Sequence, residues 1–258
     1  MTRAVPENPA EAAKRAAAAR ALGLVEPGMR LGLGSGSTAA WFVRLLADRV
    51  AAGLEVACVA TSSGTRRLAE DCGLALSPLE ALAPLDLAVD GADEFDGALD
   101  AIKGGGAALL QEKIVAAAAR RFVLVADATK RVARLGAFPL PVEVVRFGWP
   151  VTMAAVERLI ADADVDGRRV APRMAAGGPL VTDEGHHILD LHLGRIGDPA
   201  GLAAGLAAIP GVVEHGLFLR MAERALVGHP DGRVEEIVAP PRLAGADFVE
   251  EVLRSLDA

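Results

Sequence analysis

The chain has 258 residues, enough for one large domain or for one domain carrying a smaller second one. Apolar residues make up 52% and charged residues 24%, the balance of a globular protein with a sizeable core. A formal charge of −7, aromatics at 3% and the lack of tyrosine argue against a nucleic-acid surface, which needs a basic face and stacking rings. No apolar run reaches the roughly 20 residues that span a bilayer. Met1 to Ala10 lacks the apolar core of a signal peptide, so the cytoplasm is the expected location. Cys58 and Cys72 form no C-x-x-C pair and are expected to be buried, reduced thiols.

In chain order, Asn8 reads as the N-cap of a first helix, with Pro9 in its first turn and Glu11 reaching back to the cap. That helix runs to about Gly23. Met29 to Gly34 is a short buried strand, and Thr38 to Ala52 a helix with Trp41, Phe42, Leu45 and Leu46 inward. A strand over Leu54 to Ala60, a polar turn at Thr61 to Gly64 and a helix to about Cys72 follow. Leu85 to Val89 is a third strand, Gly105 to Arg120 a helix, and Phe122 to Ala126 a further strand ending at Asp127. Strands that alternate with helices imply a parallel sheet covered on both faces. After Gly136 the alternation stops. Phe138 to Pro141 is a break, Val142 to Val145 a strand, and Val151 to Ala163 a helix. Two strands joined through Asp183-Glu184-Gly185 and a helix from Pro199 to Ala208 complete a smaller α+β unit at about 136–207. Val212 to Leu219 and Ala225 to Val227 are expected to return to the main unit, 1–135 with 208–258, and Phe248 to Leu256 to form an amphipathic helix.

Two stretches carry chemistry. Gly34-Ser35-Gly36-Ser37-Thr38 joins a strand to a helix, where backbone N–H groups and the helix dipole favour an anion. It is neither a nucleotide P-loop, since no lysine precedes Ser37 or Thr38, nor a dinucleotide fingerprint, since Thr61 and Ser62 stand where an acidic residue is needed. A cradle for a lone phosphate and a plain turn capped by serine both fit. The second stretch is Val89-Asp90-Gly91-Ala92-Asp93, then Ile102-Lys103-Gly104-Gly105-Gly106 and Glu112. Asp90 and Asp93 lie just past a strand end, where open α/β sheets bind ligands. A turn with a helix cap is the plain alternative, and a magnesium site a second. The run Asp93-Glu94-Phe95-Asp96-Gly97 does not match the calcium-loop pattern.

Three glycines after Lys103 are costly unless backbone must approach something closely. Glu112, about two turns into the next helix, reads alone as a solvated glutamate and in company as a base. Lys130, past the strand ending at Asp127, can reach the same crevice. The five histidines show no zinc pattern, and His186-His187 read as structural or exposed.

In their order along the chain, these segments resemble the type A family of ribose-5-phosphate isomerases. The matching pieces are Gly34 to Ala39, Val89 to Glu94, Ile102 to Ala108, Glu112-Lys113-Ile114, Ala126 to Lys130 and Phe138 to Glu143. Val181-Thr182-Asp183, Ile188-Leu189-Asp190 and Ile209 to Val213 match as well, so the likeness spans about 14–235. Serine at position 35, where many relatives have threonine, keeps the hydroxyl.

The resemblance implies a Rossmann-like parallel sheet with helices on both faces and a smaller α+β, ferredoxin-like lid. It implies interconversion of D-ribose 5-phosphate and D-ribulose 5-phosphate through an enediolate, with no cofactor and no metal, by a homodimer or homotetramer. Its catalytic base falls on Glu112, with Asp90 and Lys103 beside it. Its substrate contacts fall on Ser35, Gly36, Ser37, Thr38, Asp90, Gly91, Ala92, Asp93, Lys103, Gly104, Gly105, Gly106 and Lys130, and Lys14 is a further candidate for the phosphate. The rival expectations are an aminosugar-phosphate isomerase/deaminase, a coenzyme A transferase, and a sugar-phosphate sensor domain of a transcription regulator. The sensor calls for a DNA-binding module and has no use for Glu112.

Overall fold

A computed structural model describes residues 8–239. The helix expected over Phe248 to Leu256 lies outside the described residues. The elements run α1 (Pro9–Leu22), β1 (Arg30–Leu33), α2 (Gly36–Ala51), β2 (Ala57–Ala60), α3 (Ser63–Asp71) and the single turn α4 (Leu79–Leu82). β3 (Leu87–Asp90), β4 (Glu94–Phe95), β5 (Ala101–Ile102), α5 (Leu109–Ala117) and β6 (Phe122–Asp127) follow. Beyond these come β7 (Leu140–Val144), α6 (Trp149–Ala161), β8 (Arg169–Pro172), β9 (Met174–Ala175), β10 (Gly178–Pro179), β11 (His187–His192) and α7 (Pro199–Ala207). The last strands are β12 (Val212–His215), β13 (Leu217–Phe218), β14 (Arg224–Gly228) and β15 (Val234–Val238).

The main sheet has the order β15-β14-β6-β3-β1-β2, parallel except for the edge strand β15. Its two central strands, β3 and β6, are buried along their whole length, as sheets covered on both faces require. One apolar cluster joins α1 and α2 to the sheet through Phe42, Leu46, Leu31, Leu33 and Val125, and a second, around Phe95, Val115, Phe122 and Phe218, fills the opposite face. The chain leaves β1 toward β2 on one side and returns to β3 on the other. The crevice past the carboxyl ends of β1 and β3 is therefore the switch point at which such sheets bind ligands. Gly34 is needed there: a Cβ on it would lie 2.2 Å from the Asp90 carboxyl.

A second sheet, β12-β7-β11-β8, is antiparallel and packs on α6 and α7 around Val142, Val144, Leu189, Leu191, Val156 and Leu206. Here the structure departs from expectation. Val212–His215 does not return to the main sheet but pairs with β7, because the short turn after α7 sets it down beside its own unit. Of Val212–Leu219 only Leu217–Phe218 crosses back, pairing with β5 in a three-stranded sheet, while Ala225–Val227 does return to the main sheet within β14, beside β6. Asn8 does cap α1, its side chain accepting from Ala10 N at 3.0 Å, with Pro9 as first helical residue. Glu11 does not reach back to that cap. Its two oxygens accept from Lys14 and the Trp41 indole, both at 2.8 Å, tying α1 to α2.

Candidate active site

The switch point opens into a cleft of about 320 Å³. Ser35 to Thr38, Gly91 to Asp93, Lys103 to Gly106, Glu112 and Lys130 line it, joined by Ala10, Lys14, Asp127 and Thr129. Asp90 lies beneath the floor. The segments that follow β1, β3, β5 and β6 thus converge on one space.

At one end, α2 begins at Gly36 with its first-turn N–H groups facing the cleft. Ser35 stands at the N-cap position but makes no capping bond with its side chain. Its Oγ turns to a hydroxyl cluster, 2.9 Å from Thr61 Oγ1 and 3.0 Å from Ser62 Oγ, and its N–H goes to Asp90 Oδ1 at 2.9 Å. Ser35 still lines the cleft, and Ser37 and Thr38 bring two further hydroxyls to the same end. Lys130, at the end of a 3-10 turn held by Asp127, and Lys14 of α1 bring positive charge to the same end.

At the other end, Lys103 is sealed in with two carboxylates. Its Nζ lies 3.0 Å from Asp90 Oδ2 and 3.3 Å from Glu112 Oε2, and donates to Gly91 O at 2.7 Å. The Phe218 ring of β13 lies against the ammonium, 5.3 Å from its centroid. Asp90 Oδ2 and Glu112 Oε2 are buried, and among the described residues the Lys103 ammonium is the cation that faces them.

Burial and then the Asp90 charge push Glu112 up to about 7, against the pull of Lys103. Burial likewise raises Asp90, opposed by Lys103. For Lys103, burial works against the charge, but Asp90 and Glu112 together outweigh it and hold its pKa above the usual lysine value. Two carboxylates around one ammonium leave a net negative charge, and the cluster relieves it by holding a proton near neutrality.

Glu112 sits in the first turn of α5, not two turns in. Gly104 (φ +103°) and Ala107 (φ +60°) turn the chain and delay the helix to Leu109, which aims Glu112 at the strand ends and buries it. The amides of Gly104 to Gly106 are not all free: Gly105 N–H donates to Asp93 Oδ2 at 2.7 Å. The acidic cluster Asp90, Asp93, Glu94 and Asp96 disperses on folding. Glu94 is turned onto the N–H groups of Gly136 and Phe138, and Asp96 onto those of Ala98 and Asp100. Among the described residues no group of three or more His, Cys, Asp or Glu comes together as metal ligands.

Both cysteines are free, Cys58 buried and Cys72 half-buried. His186 bonds Glu143 and His187 bonds the Leu180 carbonyl, both within the smaller unit. Among the described residues no helix is long and apolar enough to cross a membrane.

A parallel α/β sheet with an anion cradle and a proton-holding carboxylate at its switch point defines a protein built for acid–base work on a small anionic ligand. The family model described as ribose 5-phosphate isomerase A (phosphoriboisomerase A) matches residues 57–232. A ribose-5-phosphate isomerase A of Methylorubrum extorquens is 60% identical over 219 residues, covering 85% of this chain and 93% of that one. The solved ribose 5-phosphate isomerase A of Methanocaldococcus jannaschii superposes with a TM-score of 0.81 at 37% identity, covering 88% of this chain and 99% of the other. A D-ribose-5-phosphate isomerase solved in complex with phospho-erythronic acid gives 0.82 at 35% identity, over 89% and 99%. The chain belongs to the ribose 5-phosphate isomerase A family.

Proposed function

We propose that this protein interconverts D-ribose 5-phosphate and D-ribulose 5-phosphate, with Glu112 as the base that carries the proton between C2 and C1. The observation that supports this most is Glu112 itself: a buried carboxylate pushed up to about 7, beside an ammonium, on the wall of a cleft whose far end is an anion cradle. A group that takes up and returns a proton works best with a pKa near the working pH. Removing the C2 proton from the open sugar leaves an enediolate, with negative charge on O1 and O2. Lys103 stabilises that charge, and the same Glu112 returns the proton at C1. Asp90, bonded to the N–H groups of Ser35 and Gly91, holds Lys103 in place, and Asp93 faces the sugar hydroxyls. The first turn of α2, Ser37, Thr38 and Lys130 take the phosphate, whose binding energy orients the reacting end.

The site needs no metal or organic cofactor in this reading, because Lys103 fills the electrophilic role. We further propose that the chain works in the cytoplasm as a homodimer or homotetramer. The smaller unit, about 136–207 with β12 added, supplies none of the described residues that line the cleft. The sensor reading leaves the raised Glu112 without a purpose. Supplying ribose 5-phosphate in the presence of EDTA and following ribulose 5-phosphate tests the proposal. Conversion that is lost in Glu112→Gln is expected, and no conversion by the unaltered protein overturns it.

A further inference from the structure

The glycine run beside Lys103 is gripped from the smaller unit by a residue that no motif singled out. Arg173, between β8 and β9, reaches across with its Nη1 to the carbonyls of Gly104 (2.8 Å) and Gly105 (3.0 Å). Its other nitrogens are fixed by Asp190 of β11, Nε to Oδ2 at 3.0 Å and Nη2 to Oδ1 at 2.5 Å. The ion pair is largely buried, at 15% and 18% side-chain exposure, so solvent screens it weakly. The planar fork of the guanidinium suits this double duty, binding a carboxylate on one edge and two carbonyls on another.

In a trans peptide the C=O and the following N–H point in opposite directions. The two carbonyls converge on Arg173, so the N–H groups of Gly105 and Gly106 are turned to the cleft side. Gly105 N–H goes to Asp93, and Gly106 lines the cleft. We infer that Arg173, anchored by Asp190, is a positioning residue that aims the Gly106 N–H at the developing oxyanion and fixes Asp93 through Gly105.

The inference rests on the isomerase reading, and it assigns to the smaller unit a part in the chemical step. A donor that contributes only in the transition state changes kcat more than KM, and a donor made loose loses a fraction of its worth.

Arg173→Gln is expected to lower kcat about 10- to 100-fold with KM for ribose 5-phosphate within about threefold, since the phosphate end is untouched. Arg173→Lys, which can reach one carbonyl but cannot hold the fork, is expected to recover only part. Binding separates the clamp from turnover. The variant is expected to bind 4-phospho-D-erythronate, which carries a carboxylate where the enediolate forms, at least tenfold more weakly, and inorganic phosphate as before.

Equal weakening of both ligands, or an unchanged kcat, overturns the inference. If Arg173→Gln does not fold, Asp190→Asn, which frees the guanidinium from its anchor, has to give the same split, and unchanged kinetics there overturn it equally. An unaltered protein that fails to isomerise ribose 5-phosphate defeats the functional reading, while the comparison of the two ligands still reports on the clamp.

Discussion

The Lys103 ammonium stands 3.3 Å from Glu112 Oε2, and neither side chain exposes more than 6% of its surface. A buried charge is stable only when paired, and Asp90, 3.0 Å from the same nitrogen, supplies a second negative group where one would suffice. Burial first, and then this second negative charge, push Glu112 up to about 7.

Activity should follow that proton. A base must be ionised to act, so kcat/KM is expected to rise with pH through about 7, the value to which burial and Asp90 push Glu112. Asp90→Asn removes the charge that holds Glu112 up and should move this limb to lower pH. A pH–rate profile whose acidic limb stays in place in that variant would separate Asp90 from the titration. The stability contribution has the opposite sense. Because the folded pKa of Glu112 is raised, its share is present at low pH and is lost as pH climbs through about 7.

Glu112→Gln keeps the shape of the side chain and removes its ability to hold the proton. Turnover is expected to fall by about 10²–10⁴, with KM for ribose 5-phosphate changed only a few-fold. Near-normal turnover in this variant would take Glu112 out of the mechanism.

Thr38→Ala and Lys130→Ala touch the opposite end of the cleft and should act through the phosphate. Losses are expected with ribose 5-phosphate and not with unphosphorylated ribose, which never uses that cradle. Equal proportional losses on the two sugars would show that these residues do not read the phosphate.

Exhaustive dialysis against EDTA should leave the isomerase rate unchanged. Glu94 and Asp96 are occupied by backbone N–H groups, and Lys103 already holds the position beside Asp90 that a cation would need. Loss of rate restored by added magnesium or manganese would overturn the metal-free reading and the role given to Lys103.

Local signals carried much of the architecture. Asn8-Pro9 starts a helix because the cap and the fixed proline φ act within a few residues, and the alternation of strands and helices up to Asp127 implies the parallel sheet for the same reason. Gly34, Asp90 and Lys103 were legible as a group because each lies at or just beyond a strand end, and Glu112 because it follows the glycine run after Lys103. Their depth was not. Whether Glu112 is solvated or buried depends on the turn at Gly104 and Ala107, which shifts the start of α5 and so the direction of every side chain after it.

Longer-range choices lay beyond the sequence. Ser35 Oγ joins a hydroxyl cluster with Thr61 and Ser62 because a neighbouring strand end brings those hydroxyls within reach. Val212–His215 joins β7 because pairing is settled by which strand lies alongside. Arg173 meets Gly104 across 69 positions of chain, with no spacing to announce it. The sequence by itself determined the residue types and the strand ends that carry them, since propensity, capping and alternation are local. Only the tertiary structure decided which of those groups share a dry space with Lys103, because burial and charge coupling depend on distances that folding alone creates.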